Sequence, residues 1–203
     1  MSIEIKISNR PISYKRAMKF MENRVQSIKN GSNNELIWIL EHPLTYTAGI
    51  RSQKNEIIDK RIKVLKTNRG GKITLHSSGQ KVVYLVLNLN KRKKDIRALI
   101  SVIENSIIEF LKLYKIKSYK DKKNIGIWVG KNKIAAIGIK VTRWIAYHGC
   151  AINISNNLSY YKKINPCGLD NQRVTSIKKI NKILPRKVNI NLIDIFFKNL
   201  NKF

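Results

Sequence analysis

The sequence predicts one α/β domain of the α+β kind, a mixed, mainly antiparallel sheet with packed helices. Three observations predict it. Short apolar runs with strand-like spacing recur along the chain, several of them paired around tight turns. Between them stand long segments whose apolar residues repeat at helical spacing. No internal repeat or low-complexity linker divides the 203 residues, a length that suits one domain, so 1–203 is read as a single unit.

The elements follow in order. Ile3, Ile5 and Ile7 alternate as a first strand. After Pro11, the residues Tyr14, Ala17, Met18, Met21, Val25 and Ile28 fall on one helical face, and Asn30-Gly31 supplies a stop. Residues 36–40 read as a buried strand, and residues 45–60 as a polar connection with no strong period. Residues 72–89 read as two strands around the loop His76-Ser77-Ser78-Gly79-Gln80. Residues 95–113 form a second amphipathic helix, and the basic run Lys91 to Lys94 before it reads as a solvated helix start. Residues 125–129 and 133–141, joined by Gly130-Lys131-Asn132, make a hairpin. Residues 144–154 give a further strand, Asn165-Pro166-Cys167-Gly168 a turn, and residues 192–200 a terminal helix.

Composition excludes several classes. Forty-one Lys and Arg against 12 Asp and Glu give a net charge of +29. The 33 Ile, 30 Lys and 22 Asn are the bias of an A+T-rich genome, and Arg, the better phosphate fork, is scarce at 11. The lysines are spread along the chain and not interleaved with aromatic residues, so a nucleic-acid-binding protein is the weaker reading and no nucleic-acid partner is expected. No apolar run approaches a membrane span and no secretory leader is visible, so no membrane partner is expected. Two cysteines cannot build a disulfide framework, and a cytoplasmic location is the simplest expectation. No metal-ligand spacing and no phosphate-binding glycine loop occurs.

Chemistry is then sought in a few residues. The three histidines are His42, His76 and His148. His42, beside Pro43 at a strand end, reads as structural, whereas His76 closes a glycine-containing segment whose backbone can approach a ligand closely. Cys167, between Pro166 and Gly168, is the candidate nucleophile, because a reactive thiol needs space and a nearby positive charge. Cys150 lies in an apolar run and reads as a small buried side chain.

Five segments in order then carry a resemblance. They are Glu41-His42-Pro43-Leu44-Thr45-Tyr46-Thr47-Ala48-Gly49, Arg69-Gly70-Gly71-Lys72-Ile73-Thr74-Leu75-His76, Lys133-Ile134-Ala135-Ala136-Ile137-Gly138, His148-Gly149-Cys150-Ala151-Ile152-Asn153 and Asn165-Pro166-Cys167-Gly168. Together they resemble the lipoyl(octanoyl) transferase family over residues 36–177. One departure is the loop after His76, Ser77-Ser78-Gly79-Gln80, where the family usually has Gly-Pro-Gly-Gln.

The resemblance implies the biotin/lipoate-protein ligase-like fold and a single octanoyltransferase catalytic domain. It implies transfer of an octanoyl group from octanoyl-acyl carrier protein to a lysine of lipoyl domains, with no cofactor. The implied acceptors are the E2 subunits of 2-oxo-acid dehydrogenases and the glycine-cleavage H protein. It assigns the acyl-thioester role to Cys167 and the role of lowering that thiol's pKa to Lys133. Residues Arg69, Gly70, Gly71, Lys72, Ile73, Thr74, Leu75 and His76 are implied to line the acyl site, with Ala136, Ile137 and Gly138 and with Gly149, Cys150 and Ala151. Backbone N–H groups of the glycine-containing loops are the expected oxyanion donors. The nearest alternative is an ATP-dependent lipoate-protein ligase of the same fold, which would not need the cysteine.

Overall fold

The computed structural model describes residues 2–31, 34–121, 124–165, 174–183 and 185–203. Among the described residues ten strands and four α-helices occur in the order β1 (Ser2–Ile7), α1 (Tyr14–Lys29), β2 (Asn34–Leu40), β3 (Thr45–Ala48), β4 (Val64–Lys66), β5 (Ile73–His76), β6 (Gln80–Asn88), α2 (Ile96–Lys112), β7 (Tyr119–Lys120), β8 (Ile127–Val129), β9 (Asn132–Thr142), β10 (Ile145–Asn153), α3 (Ile177–Asn181) and α4 (Val188–Asn201). The main sheet has seven strands in the order β1-β2-β6-β10-β9-β8-β7. Only the β1/β2 pair in it is parallel. A small sheet, β4-β3-β5, stands apart from it. The mixed, mainly antiparallel prediction matches this arrangement.

Side-chain alternation explains the layering. On β2, Ile37 and Ile39 face one side while Leu36, Trp38 and Leu40 face the other. β6 repeats the pattern, with Val83, Leu85 and Leu87 against Val82, Tyr84 and Val86. One side is covered by Leu99, Ile103, Ile107 and Phe110 of α2 and by Leu192, Phe196 and Leu200 of α4. The other is covered by Ala17, Met21, Val25 and Ile28 of α1, the stripe that the helical spacing predicts. Ser13 caps α1 through the N–H of Arg16, and Asp95 caps α2 through that of Ala98.

Two elements depart from the sequence reading. Residues 45–60 are not a plain connection, because Thr45–Ala48 pairs with Val64–Lys66 and with Ile73–His76 to make the small sheet. Its pairing partners are distant in sequence, so a local periodicity scan does not see it. The basic run at 91–94 is solvated only in part. Arg92 is buried and donates Nε–H to Glu35 Oε1 and Oε2 at 3.0 and 3.1 Å, and Nη1–H to the Leu200 carbonyl. It ties β2 to the end of α4. Removing one partner of such a pair strands a buried charge. Glu35→Ala should therefore cost about 3–5 kcal/mol of unfolding free energy in urea titration. A loss within experimental error would show that Arg92 finds water instead.

Candidate active site

A cavity of about 350 Å³ lies between the β6-β10-β9 part of the main sheet and the small sheet. The sheet supplies its apolar wall: Val82, Ala135, Ala136, Ile137, Cys150 and Ala151. Gly149 lets β10 run close beside its partner strand β6, since a Cβ there would stand 1.9 Å from the Val83 carbonyl oxygen. Facing this wall are Arg69, Gly71, Lys72, Ile73, Thr74 and His76.

Most of the sequence-derived site residues thus come together in one place. Lys133, Ala136, Ile137, Gly138, Gly149, Cys150 and Ala151 all line the cavity. Gly70 and Leu75 are not among its lining residues. Leu75 is buried in the core of the small sheet, and Gly70 packs against the Ile139 backbone. Cys167 lies outside the described residues, as do its neighbours from 166 to 173. Tyr161 and Val174, on either side of that stretch in sequence, both line the cavity.

Lys133 is buried, with its ammonium 5.4 Å from the centre of the Trp128 ring. Its backbone is fixed as well, because the carbonyl accepts the Thr175 N–H at 3.0 Å and the residue bridges to Val174. The Thr175 carbonyl in turn accepts from Asn153 Nδ2 at 3.1 Å. Asn153 Oδ1 receives Gln80 Nε2, Asn156 Nδ2 and the Tyr161 hydroxyl. One buried asparagine therefore joins β6 and β10 to the Tyr161 side chain and the Thr175 backbone, on either side of residues 166–173.

Arg69 brings a second buried cation. Its Nη2 donates to the Thr47 carbonyl and hydroxyl at 2.8 and 2.9 Å, and its Nη1 to the Gly70 carbonyl. The loop after His76 is already engaged: the Gly79 N–H donates to Glu41 Oε2 and the Gln80 N–H to the Ser77 carbonyl. These two N–H groups are therefore spent within the fold and do not serve as oxyanion donors.

The histidines form the least legible part of the site. Burial depresses all three from the ordinary 6.5, His42 to about 4 and His148 to about 3, with His76 held well below it. Their partners fix the tautomers of these neutral rings. His42 donates Nδ1–H to the Ile12 carbonyl and accepts the Tyr84 hydroxyl proton at Nε2, a structural role as expected. Gln80 Nε2 donates to Leu75 and Asn153, so its Oε1 accepts Nδ1–H from His76 at 2.9 Å. His76 Nε2 then carries a lone pair with no partner among the described residues. His148 donates Nε2–H to Asn68 Oδ1 at 2.9 Å, which leaves its Nδ1 in the same condition. Cys150 is buried and burial pushes its thiol up, so it is a wall and not a thiolate. Tyr14 and Tyr84 line the cavity although nothing in their local sequence marks them for it; His148 and Asn153, the ends of a motif picked out in the sequence but not assigned to the site, line it too.

Comparison with known proteins decides the family. The Lipoyl protein ligase A/B catalytic domain model matches residues 13–197. The chain belongs to that family. Curated octanoyltransferases are similar over most of their length. That of Wolbachia sp. subsp. Brugia malayi (strain TRS) is 46% identical over 183 residues, 88% of this chain and 89% of that protein. That of Ehrlichia chaffeensis (strain ATCC CRL-10679 / Arkansas) is 43% identical over 184 residues, 88% and 86% respectively. Octanoyl transfer in lipoylation is accordingly the activity of this chain, and it is an acyltransferase.

Solved structures confirm the fold. The crystal structure of lipoate-protein ligase A bound with ATP superposes with a TM-score of 0.81 at 14% identity, covering 99% of this chain and 86% of that one. Biotin protein ligase from Aquifex aeolicus gives 0.54 at 13% identity, covering 100% and 70%. No helix among the described residues is long and apolar enough to cross a membrane.

Proposed function

We propose that the chain, as one catalytic domain over 1–203, carries the octanoyl group from octanoyl-acyl carrier protein to a lipoyl-domain lysine through a thioester on Cys167. The supporting observation is the cavity itself: an apolar groove with the buried Lys133 in its wall and Tyr161 and Val174 at its edge. In this reading the Lys133 ammonium stabilises the Cys167 thiolate. The thiolate adds to the octanoyl thioester carbonyl, the carbon–sulfur bond to the carrier breaks, and the carrier thiolate leaves with the proton of the Lys133 ammonium, which becomes neutral. The lysine Nζ of the lipoyl domain then attacks the acyl-enzyme carbonyl. An amide forms, the Cys167 sulfur departs as thiolate, and the amine proton passes to Lys133 in its neutral form. The apolar wall holds the chain at roughly 0.8 kcal/mol per buried methylene.

The acceptors in this reading are lipoyl domains of 2-oxo-acid dehydrogenase E2 subunits and of the glycine-cleavage H protein, and the setting is cytoplasmic. A solved relative pairs an archaeal bipartite lipoate protein ligase with its E2 lipoyl domain from Thermoplasma acidophilum. Gel-shift or mass analysis of a lipoyl domain mixed with enzyme and octanoyl-acyl carrier protein tests the reading. Octanoylation should proceed without nucleotide and fall at least about 1000-fold in Cys167→Ala. Modification that requires ATP and free acid would assign the chain to the ligase branch instead.

A further inference from the structure

The cavity has a direction. Lys133 stands near one end of β9 and Gly138 five residues along it, about 17 Å at 3.3 Å per residue. At the far end Gly138 pairs with Gly149 and Ile139 with His148. Between the two ends the wall is aliphatic.

His148 is out of place in its strand. Its φ is +70°, an uncommon value for a side-chain-bearing residue and one that marks a site held by its surroundings. Strict alternation would put it with Ala146 and Cys150, on the α2/α4 side of the sheet. Instead the imidazole stacks on Tyr147 at 4.9 Å, meets Tyr84 edge-on at 6.3 Å and bonds Asn68, which places it in the cavity wall on the α1 side. It is 1% exposed. The Asn68 amide donates to Glu22 Oε1, so its carbonyl oxygen is turned to hold the His148 Nε2–H.

We propose that His148 closes the far end of the acyl cavity and sets the chain length that the site accepts. This rests on the reading of the cavity as the acyl site. An incoming methylene meets a ring that two tyrosines and Asn68 hold in position. It also meets Nδ1 of His148, which has no hydrogen-bond partner among the described residues and which a hydrocarbon cannot satisfy. The methyl end of the chain stops where the wall turns polar.

The test compares octanoyl, decanoyl and dodecanoyl carriers with wild type, His148→Gly and Asn68→Ala. Glycine takes a φ of +70° without strain, so His148→Gly removes the ring and keeps the backbone. The decanoyl-to-octanoyl ratio of kcat/KM should rise about ten-fold or more in His148→Gly. It should rise less, but in the same direction, in Asn68→Ala. A folded His148→Gly enzyme with the wild-type ratio would overturn the proposal. If circular dichroism shows that variant unfolded, Asn68→Ala decides, and an unchanged ratio there overturns it. A wild type that uses none of the three carriers would instead overturn the donor reading. The length comparison would then be read from calorimetric binding of free octanoate and decanoate, where equal preference in wild type and His148→Gly counts against His148.

Discussion

Lys133→Met should slow transfer to the lipoyl domain by about 100- to 10,000-fold at neutral pH. Methionine keeps a similar length of chain and removes the ammonium that faces Trp128, so the fold should survive. The loss should divide into two parts with different pH signatures. In the proposed mechanism, removing the ammonium takes away what favours the Cys167 thiolate. Alkylation by iodoacetamide should then slow at pH 7 and recover as the pH approaches 9. Transfer should recover less, because the second step also loses the group that takes the amine proton. Equal alkylation rates in wild type and Lys133→Met across this range would remove Lys133 from thiol activation.

Acid should unfold this protein early. Three imidazoles are buried as neutral rings, and their folded pKa values lie below the unfolded value of 6.5. Below pH 6.5 the unfolded chain takes up protons that the folded chain does not, so stability falls as pH falls. The contribution is complete above about pH 7 and is lost progressively toward pH 4. Each ring contributes up to about 1.4 kcal/mol per pH unit; His42 and His148 together give a loss of about 4 kcal/mol between pH 7 and pH 5, and His76 adds to it in the same direction. That is a large share of a typical domain's stability. Urea midpoints at pH 7, 6 and 5 measure it directly. A midpoint that stays constant would mean that the histidines ionise inside the fold or that water reaches them.

Much of the architecture was legible in the sequence because it rests on local pattern. The stripe Tyr14, Ala17, Met21, Val25 predicts α1 and the face it buries, and Gly130-Lys131-Asn132 marks the β8/β9 turn. Features set by distant partners were not legible. β3 and β4 exist because Tyr46 pairs with Val64 and Leu75 across the chain. Arg92 is buried because Glu35 and the Leu200 carbonyl meet it from two other elements. At the site, short motifs placed Lys133, Ala136 to Gly138 and Gly149 to Ala151 in the cavity wall. The same motifs could not show that His148 leaves the strand alternation, or that Gln80 and Asn68 choose the tautomers of two histidines. Those depend on side chains that folding brings together.

The intact mass of the enzyme after mixing with octanoyl-acyl carrier protein tests the proposed chemistry most directly. One octanoyl adduct should appear on the wild type, map by peptide sequencing to Cys167, and disappear when a lipoyl domain is added. Cys167→Ala should stay unmodified. An octanoylated lipoyl domain formed with no adduct on the enzyme, or equally well by Cys167→Ala, would contradict a covalent route through this cysteine.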